Sequence, residues 1–122
     1  MTERKNVLLD KSLQLSLDII EYTELLETEH KYVIARQLMK SGTSIGANIH
    51  EAQHSESPLD FVHKLKIAAK EAEETSYWIK LCLMSKNYPD CIELQNQVLE
   101  IQKLLTKIIF STKQTIERKN NQ

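Results

Sequence analysis

Residues 32–54 read YVIARQLMKSGTSIGANIHEAQH, the stretch that holds both glycines of the chain. At helical spacing, Ile34, Leu38, Gly42, Ile45, Ile49 and Ala52 fall within about 40° of one line, which makes that line a core-facing stripe. On one flank only run Gln37, Ser44, Asn48 and Glu51, polar groups that touch on neighbouring turns. A polar row at the edge of a core predicts partners on another helix or subunit, and Lys64, Glu71 and Thr75 of the third helix are the candidates. Gly42 and Gly46 each cost a helix about 1 kcal/mol relative to Ala. Set four apart, they are expected to admit a second helix closely, with the small middle of the third helix as partner. The plainer alternative is a locally weak helix.

Working outward, 122 residues suit one domain, which buries roughly two thirds of its extended surface. Two Gly, two Pro and abundant Leu, Ile, Lys, Glu and Gln favour helix and leave little turn chemistry for a sheet. With 16 Lys and Arg against 17 Asp and Glu, the net charge of −1 provides no general field for nucleic acid. There is no apolar run of about 18 residues and no signal-like N-terminus, so a cytoplasmic protein without a membrane partner is expected. Cys82 and Cys91 lack the CxxC spacing of zinc or redox sites and read as buried or half-buried thiols.

The first helix, about 6–26, carries two opposed apolar stripes. Leu9, Leu13, Leu17 and Ile20 form one; Leu8, Leu15, Ile19, Tyr22 and Leu26 form the other. Ser12, Ser16 and Thr23 fill one arc between them, and Asp10, Gln14, Asp18 and Glu21 a solvated one. Two stripes exceed what one bundle covers, so a homo-oligomer is expected. Leu13, Leu17 and Ile20 are assigned to the core and Leu15, Ile19, Tyr22 and Leu26 to the subunit contact, with the reverse left open. Charged residues 27–31 make a tight link without Gly or Pro, and the second helix runs to about 55. Ser57-Pro58-Leu59-Asp60 is a start signal: Ser57 caps, Pro58 suits the first position and Asp60 reaches back to free amides. The third helix, about 58–86, is expected to bury Phe61, Leu65, Ala68, Ala69, Ala72, Ser76, Ile79 and Leu83. Ile67, Trp78 and Leu81 project elsewhere and join the expected interface. Pro89 is expected to open the fourth helix, about 89–117, with Ile92, Val98, Leu105, Ile109 and Ile116 along its stripe. The architecture is all-α, an antiparallel up-down-up-down four-helix bundle.

Chemistry-bearing motifs are few. His50-Glu51-Ala52-Gln53-His54 spells H-E-x-x-H, the spacing by which zinc proteases place two imidazole ligands and a general base. His50 and His54 are therefore candidate metal ligands, with Glu74 nominated as a third. The helical wheel puts both histidines with Arg36 and Lys40 on the outer face, so no catalytic residue, metal or cofactor is assigned. Phosphate loops and nucleophile elbows are missing. Lys103, Lys107, Lys113, Arg118 and Lys119 form a candidate nucleic-acid patch, although Lys near a helix C-terminus also answers the helix dipole.

The run Gln37-Leu38, Ser41, Thr43-Ser44-Ile45, Asn48-Ile49, Glu51, with Phe61-Val62, Leu65, Ile67-Ala68, Lys70-Glu71-Ala72, Glu74-Thr75 and Tyr77-Trp78, resembles the bacterial four helix bundle proteins. These were first noticed in intervening sequences of large-subunit ribosomal RNA genes. Where members commonly read Asn-Ile-Ala-Glu-Gly, this chain has His50 and Ala52 in place of the Ala and Gly. The resemblance implies a homopentameric barrel; one branch comprises accessory proteins of diversity-generating retroelements that bind a reverse transcriptase and nucleic acid. Three functions follow as expectations: a non-enzymatic self-associating scaffold or accessory binding protein, a nucleic-acid accessory factor, and a zinc hydrolase.

Overall fold

The computed structural model describes residues 6–122. The charged start at residues 1–5, part of the reasoning on location, lies outside them. Four helices follow one another: α1 Val7–Thr28, α2 Tyr32–Ala52, α3 Pro58–Met84 and α4 Ile92–Asn120. Each packs on its chain neighbour and α4 returns to α1, closing an antiparallel ring. No strand occurs among the described residues.

The ends of the helices follow from particular groups. Asn6 caps α1 by accepting the Leu9 amide at 3.1 Å, and its own amide donates to Gln53 of α2 at 2.7 Å. The α1–α2 link turns without glycine because His30 itself takes φ 64°. The Lys31 amide then reaches the Leu26 carbonyl and the His30 amide reaches that of Glu27, both at 2.9 Å, the Schellman arrangement. At α3, Ser57 accepts from the Asp60 amide at 3.0 Å, Pro58 takes the first helical position, and Asp60 accepts from the Glu56 amide at 3.3 Å. α4 departs from expectation: it begins at Ile92, not Pro89. The Pro89 carbonyl is instead engaged by the Tyr22 hydroxyl at 2.7 Å, and Asn87 turns the chain at φ 66°.

One core runs the length of the ring, and its fully buried large side chains include Leu15, Ile19, Leu26, Leu38, Ile45, Ile49, Leu65, Ile79, Val98 and Leu105. Burying one such side chain is worth about 1.5–3 kcal/mol. On α3, Leu65, Ala68, Ala72 and Ile79 are buried as expected, joined by Val62, Thr75 and Cys82; Phe61, Ala69, Ser76 and Leu83 are half-buried. On α4, Ile92 faces out while Leu94 and Ile101 face in.

The glycines do admit a helix closely, but that helix is α1, not α3. A Cβ on Gly42 would lie 3.0 Å from both Cγ1 and Cγ2 of Ile19, and one on Gly46 would lie 2.9 Å from Ser16 Oγ and 3.3 Å from the Ser12 carbonyl oxygen. The serines of α1 and the glycines of α2 therefore form a single notch-and-ridge seam.

Candidate functional site

The glycine seam sets the rotation of α1, and that rotation decides which stripe reaches solvent. With Ile19 seated at Gly42, Leu15, Ile19 and Leu26 are wholly buried and Tyr22 nearly so. These four residues are core, so their assignment to the subunit contact is corrected. Leu13 is 61% exposed and Leu17 56%, while Leu9 and Ile20 are half-buried. Neighbouring turns join them into one apolar strip about 16 Å long at 1.5 Å per residue. Of the other expected interface residues, Trp78 packs against the core, and Ile67 and Leu81 are half-buried.

The polar row of α2 closes largely on its own helix. Ser44 Oγ donates to the Lys40 carbonyl at 2.8 Å, Asn48 Nδ2 donates to the Ser44 carbonyl at 2.9 Å, and Gln37 is exposed. Glu51 alone of the row reaches α3, meeting Lys64 at 3.9 Å. Within the subunit the nominated α3 partner is therefore met only by Glu51, because the shorter side chains of Ser44 and Asn48 span one helical turn more easily than the gap to α3. Thr75 pairs with Ser41 instead, at 2.9 Å, both side chains being buried.

His50 and His54 stand on the outer face, edge to face at 5.7 Å between ring centroids, with Glu51 exposed beside them. Glu74 accepts the Trp78 indole N–H at 3.1 Å on α3. Among the described residues, no three His, Cys, Asp or Glu side chains gather as metal ligands.

Residues 4–107 match the model of the 23S rRNA-intervening sequence proteins. The chain belongs to this family. A protein of unknown function from the S23 ribosomal protein family of Bacteroides thetaiotaomicron VPI-5482 has the same fold. It is 42% identical, with 84% of this chain and 97% of that one covered and a TM-score of 0.80. No curated protein matches the chain.

In this 23S rRNA-intervening sequence protein the candidate basic residues of α4 are spread along that helix from Lys103 to Lys119. Lys103 and Lys107 line a shallow groove with Leu99, Gln102 and Thr106. The charge of Lys113 lowers the proton affinity of Lys66 on α3, with smaller contributions from desolvation and Lys70. Arg118 and Lys119 lie exposed in the last turn. No helix among the described residues is long and apolar enough to cross a membrane. At the other end of the bundle Cys82 and Cys91 are both buried, and the α3–α4 turn brings them to one end of the core.

Proposed function

We propose that this 23S rRNA-intervening sequence protein is a non-enzymatic helical bundle that associates with copies of itself and acts as a scaffold or accessory binding protein. One observation carries the reading: Leu13 and Leu17 remain exposed on the face of α1 opposite its buried stripe. Covering two exposed leucines and completing the burial of Leu9 and Ile20 contributes several kcal/mol per subunit at about 1.5–3 kcal/mol per fully buried side chain. That scale matches the association costs such a contact must offset. Family resemblance favours five subunits in a cytoplasmic assembly. The exposed histidines and the Glu51–Lys64 pairing offer no walled cleft for a peptide or ester, which supports a role without catalysis. Light scattering on a sizing column, with Leu17→Glu as the disrupting variant, tests the reading.

A second reading, a nucleic-acid accessory factor, draws on the juxtaposed Lys66, Lys70 and Lys113, cations that a phosphate backbone would relieve of mutual repulsion. It also draws on the family's association with ribosomal RNA intervening sequences. With a net charge of −1, the binding is weak and local to those lysines.

A further inference from the structure

The turn from α3 into α4 closes over two thiols. Cys82 lies in the last turns of α3, and Cys91 is the residue on which α4 starts. Cys82 is 2% exposed and Cys91 3%, yet both are free. The positive φ of Asn87 folds the intervening link back on α3, so that Cys91 Sγ lies 3.8 Å from the carbonyl oxygen of Ile79, one turn before Cys82. The Cys91 S–H donates to that carbonyl, which sets it beside the turn of α3 that carries the buried Cys82. Tyr22 of α1 completes the group: its hydroxyl donates to the Pro89 carbonyl at 2.7 Å, and its side chain lines one groove with Cys91.

The two sulfurs differ in access and in acidity. Cys91, but not Cys82, lines a groove of about 590 Å³ whose walls include Tyr22, Asp18, Glu21, Asp90 and Glu93. Interaction with the Cys82 thiol, helped by Tyr22, lowers the pKa of Cys91 against the opposing effects of burial and of Asp90. The same interaction, followed by burial, raises Cys82. Four carboxylates around the entrance disfavour an anionic reagent such as a glutathione disulfide and leave an uncharged peroxide unimpeded.

We infer that Cys91 and Cys82 are a reversible dithiol–disulfide pair, oxidised by a small neutral hydroperoxide that enters through this groove. The Cys91 thiolate attacks one peroxide oxygen, the O–O bond breaks, and the departing hydroxide takes a proton to leave as water. Cys91 is then a sulfenic acid. The sulfur of Cys82 attacks the Cys91 sulfur, the S–O bond breaks, and the hydroxyl leaves with the Cys82 proton as a second water. Two thiols and hydrogen peroxide become one disulfide and two waters; the sulfurs lose two electrons and the peroxide oxygens gain them. The bond formed fastens the end of α3 to the start of α4 beside Tyr22.

The test uses the reduced full chain, one equivalent of hydrogen peroxide, and mass spectrometry after alkylation in denaturant. The expected product has lost about 2 Da, takes no alkylating agent, yields a peptide joining Cys82 to Cys91, and regains both thiols in dithiothreitol. Its formation is expected to be at least about tenfold faster in the native chain than in urea, because the fold holds the sulfurs together. Cys82→Ser, checked for helicity, is expected to stop at an adduct of about 16 Da on Cys91 that dimedone captures. Two alkylatable thiols after treatment, disulfides only between chains, or equal rates in buffer and urea would each overturn the inference. The wild-type measurements decide it even where the variant does not fold.

Discussion

Ile19 of α1 occupies the space that a side chain on residue 42 of α2 would need: a Cβ there would lie 3.0 Å from two Ile19 carbons. This one contact fixes how α1 is rotated in the ring. Overpacking costs about 1–3 kcal/mol, against which the better helix propensity of Ala returns about 1 kcal/mol. Gly42→Ala is therefore expected to destabilise the chain by up to about 2 kcal/mol. Ile19→Ala removes the clash, so denaturant titrations of the double-mutant cycle should give a cost for Ile19→Ala that is smaller with Ala at position 42 than with Gly. Strict additivity would show that the two residues do not share the space.

Thr75 and Ser41 provide a second interhelical link, hydrogen-bonded at 2.9 Å, while Thr75 Oγ1 also lies 2.7 Å from the Glu71 carbonyl. With one proton on each hydroxyl, Thr75 donates to the carbonyl and Ser41 donates to Thr75. Thr75→Val deprives buried Ser41 of its acceptor and is expected to cost about 1–3 kcal/mol. Asn48→Ala, which loses a bond within one helix, is expected to cost at most about 1 kcal/mol. Thermal melts that rank the two in the opposite order would return the polar row to an interhelical role.

Helix positions were legible because periodicity and the Ser57–Asp60 start signal are local. The facing of α1 was not, since both of its stripes are leucine-rich and the choice between them depends on which helix meets Gly42 and Gly46. The small-residue arc Ser12, Ser16 and Thr23 was the available clue: small groups on one helix match glycines on another. The links at 27–31 and 87–90 are legible as turns, but the positive φ by which His30 and Asn87 make them is not, because neither residue is glycine. The thiol pair was hidden for the same reason, as its closeness depends on the Asn87 turn. Leu13 and Leu17 are legible as an apolar stripe, but periodicity alone does not say whether that stripe or its opposite faces the core.

The His50-Glu51-x-x-His54 motif is expected to be catalytically silent. Glu51→Gln removes the charge that faces Lys64 at 3.9 Å, an exposed pair worth at most about 1 kcal/mol. Stability should change little, and peptidase activity with added zinc should remain at the no-enzyme background in parent and variant alike. Zinc-dependent turnover in the parent that Glu51→Gln abolishes without loss of helicity would establish the hydrolase.

Nucleic-acid binding through Lys66, Lys70 and Lys113 is expected to be steeply salt-dependent. Each phosphate contact adds nearly one unit to the slope of log affinity against log salt for a duplex, about 0.7 for a single strand. Lys113→Gln should reduce that slope for an RNA probe by about one contact, whereas Lys103→Gln, in the Leu99–Lys107 groove, should leave it unchanged. The reverse pattern would move the surface to the Leu99–Lys107 groove.

The central claim concerns the exposed strip of α1, and light scattering on a sizing column at micromolar concentration measures it directly. The parent chain is expected to elute as a homo-oligomer, and Leu17→Glu as a monomer of unchanged helicity, because residue 17 faces solvent in the isolated subunit. Ile19→Glu places a charge in the core and is expected to unfold the chain instead. A monomeric parent, or an oligomer that Leu17→Glu leaves intact, would contradict the account.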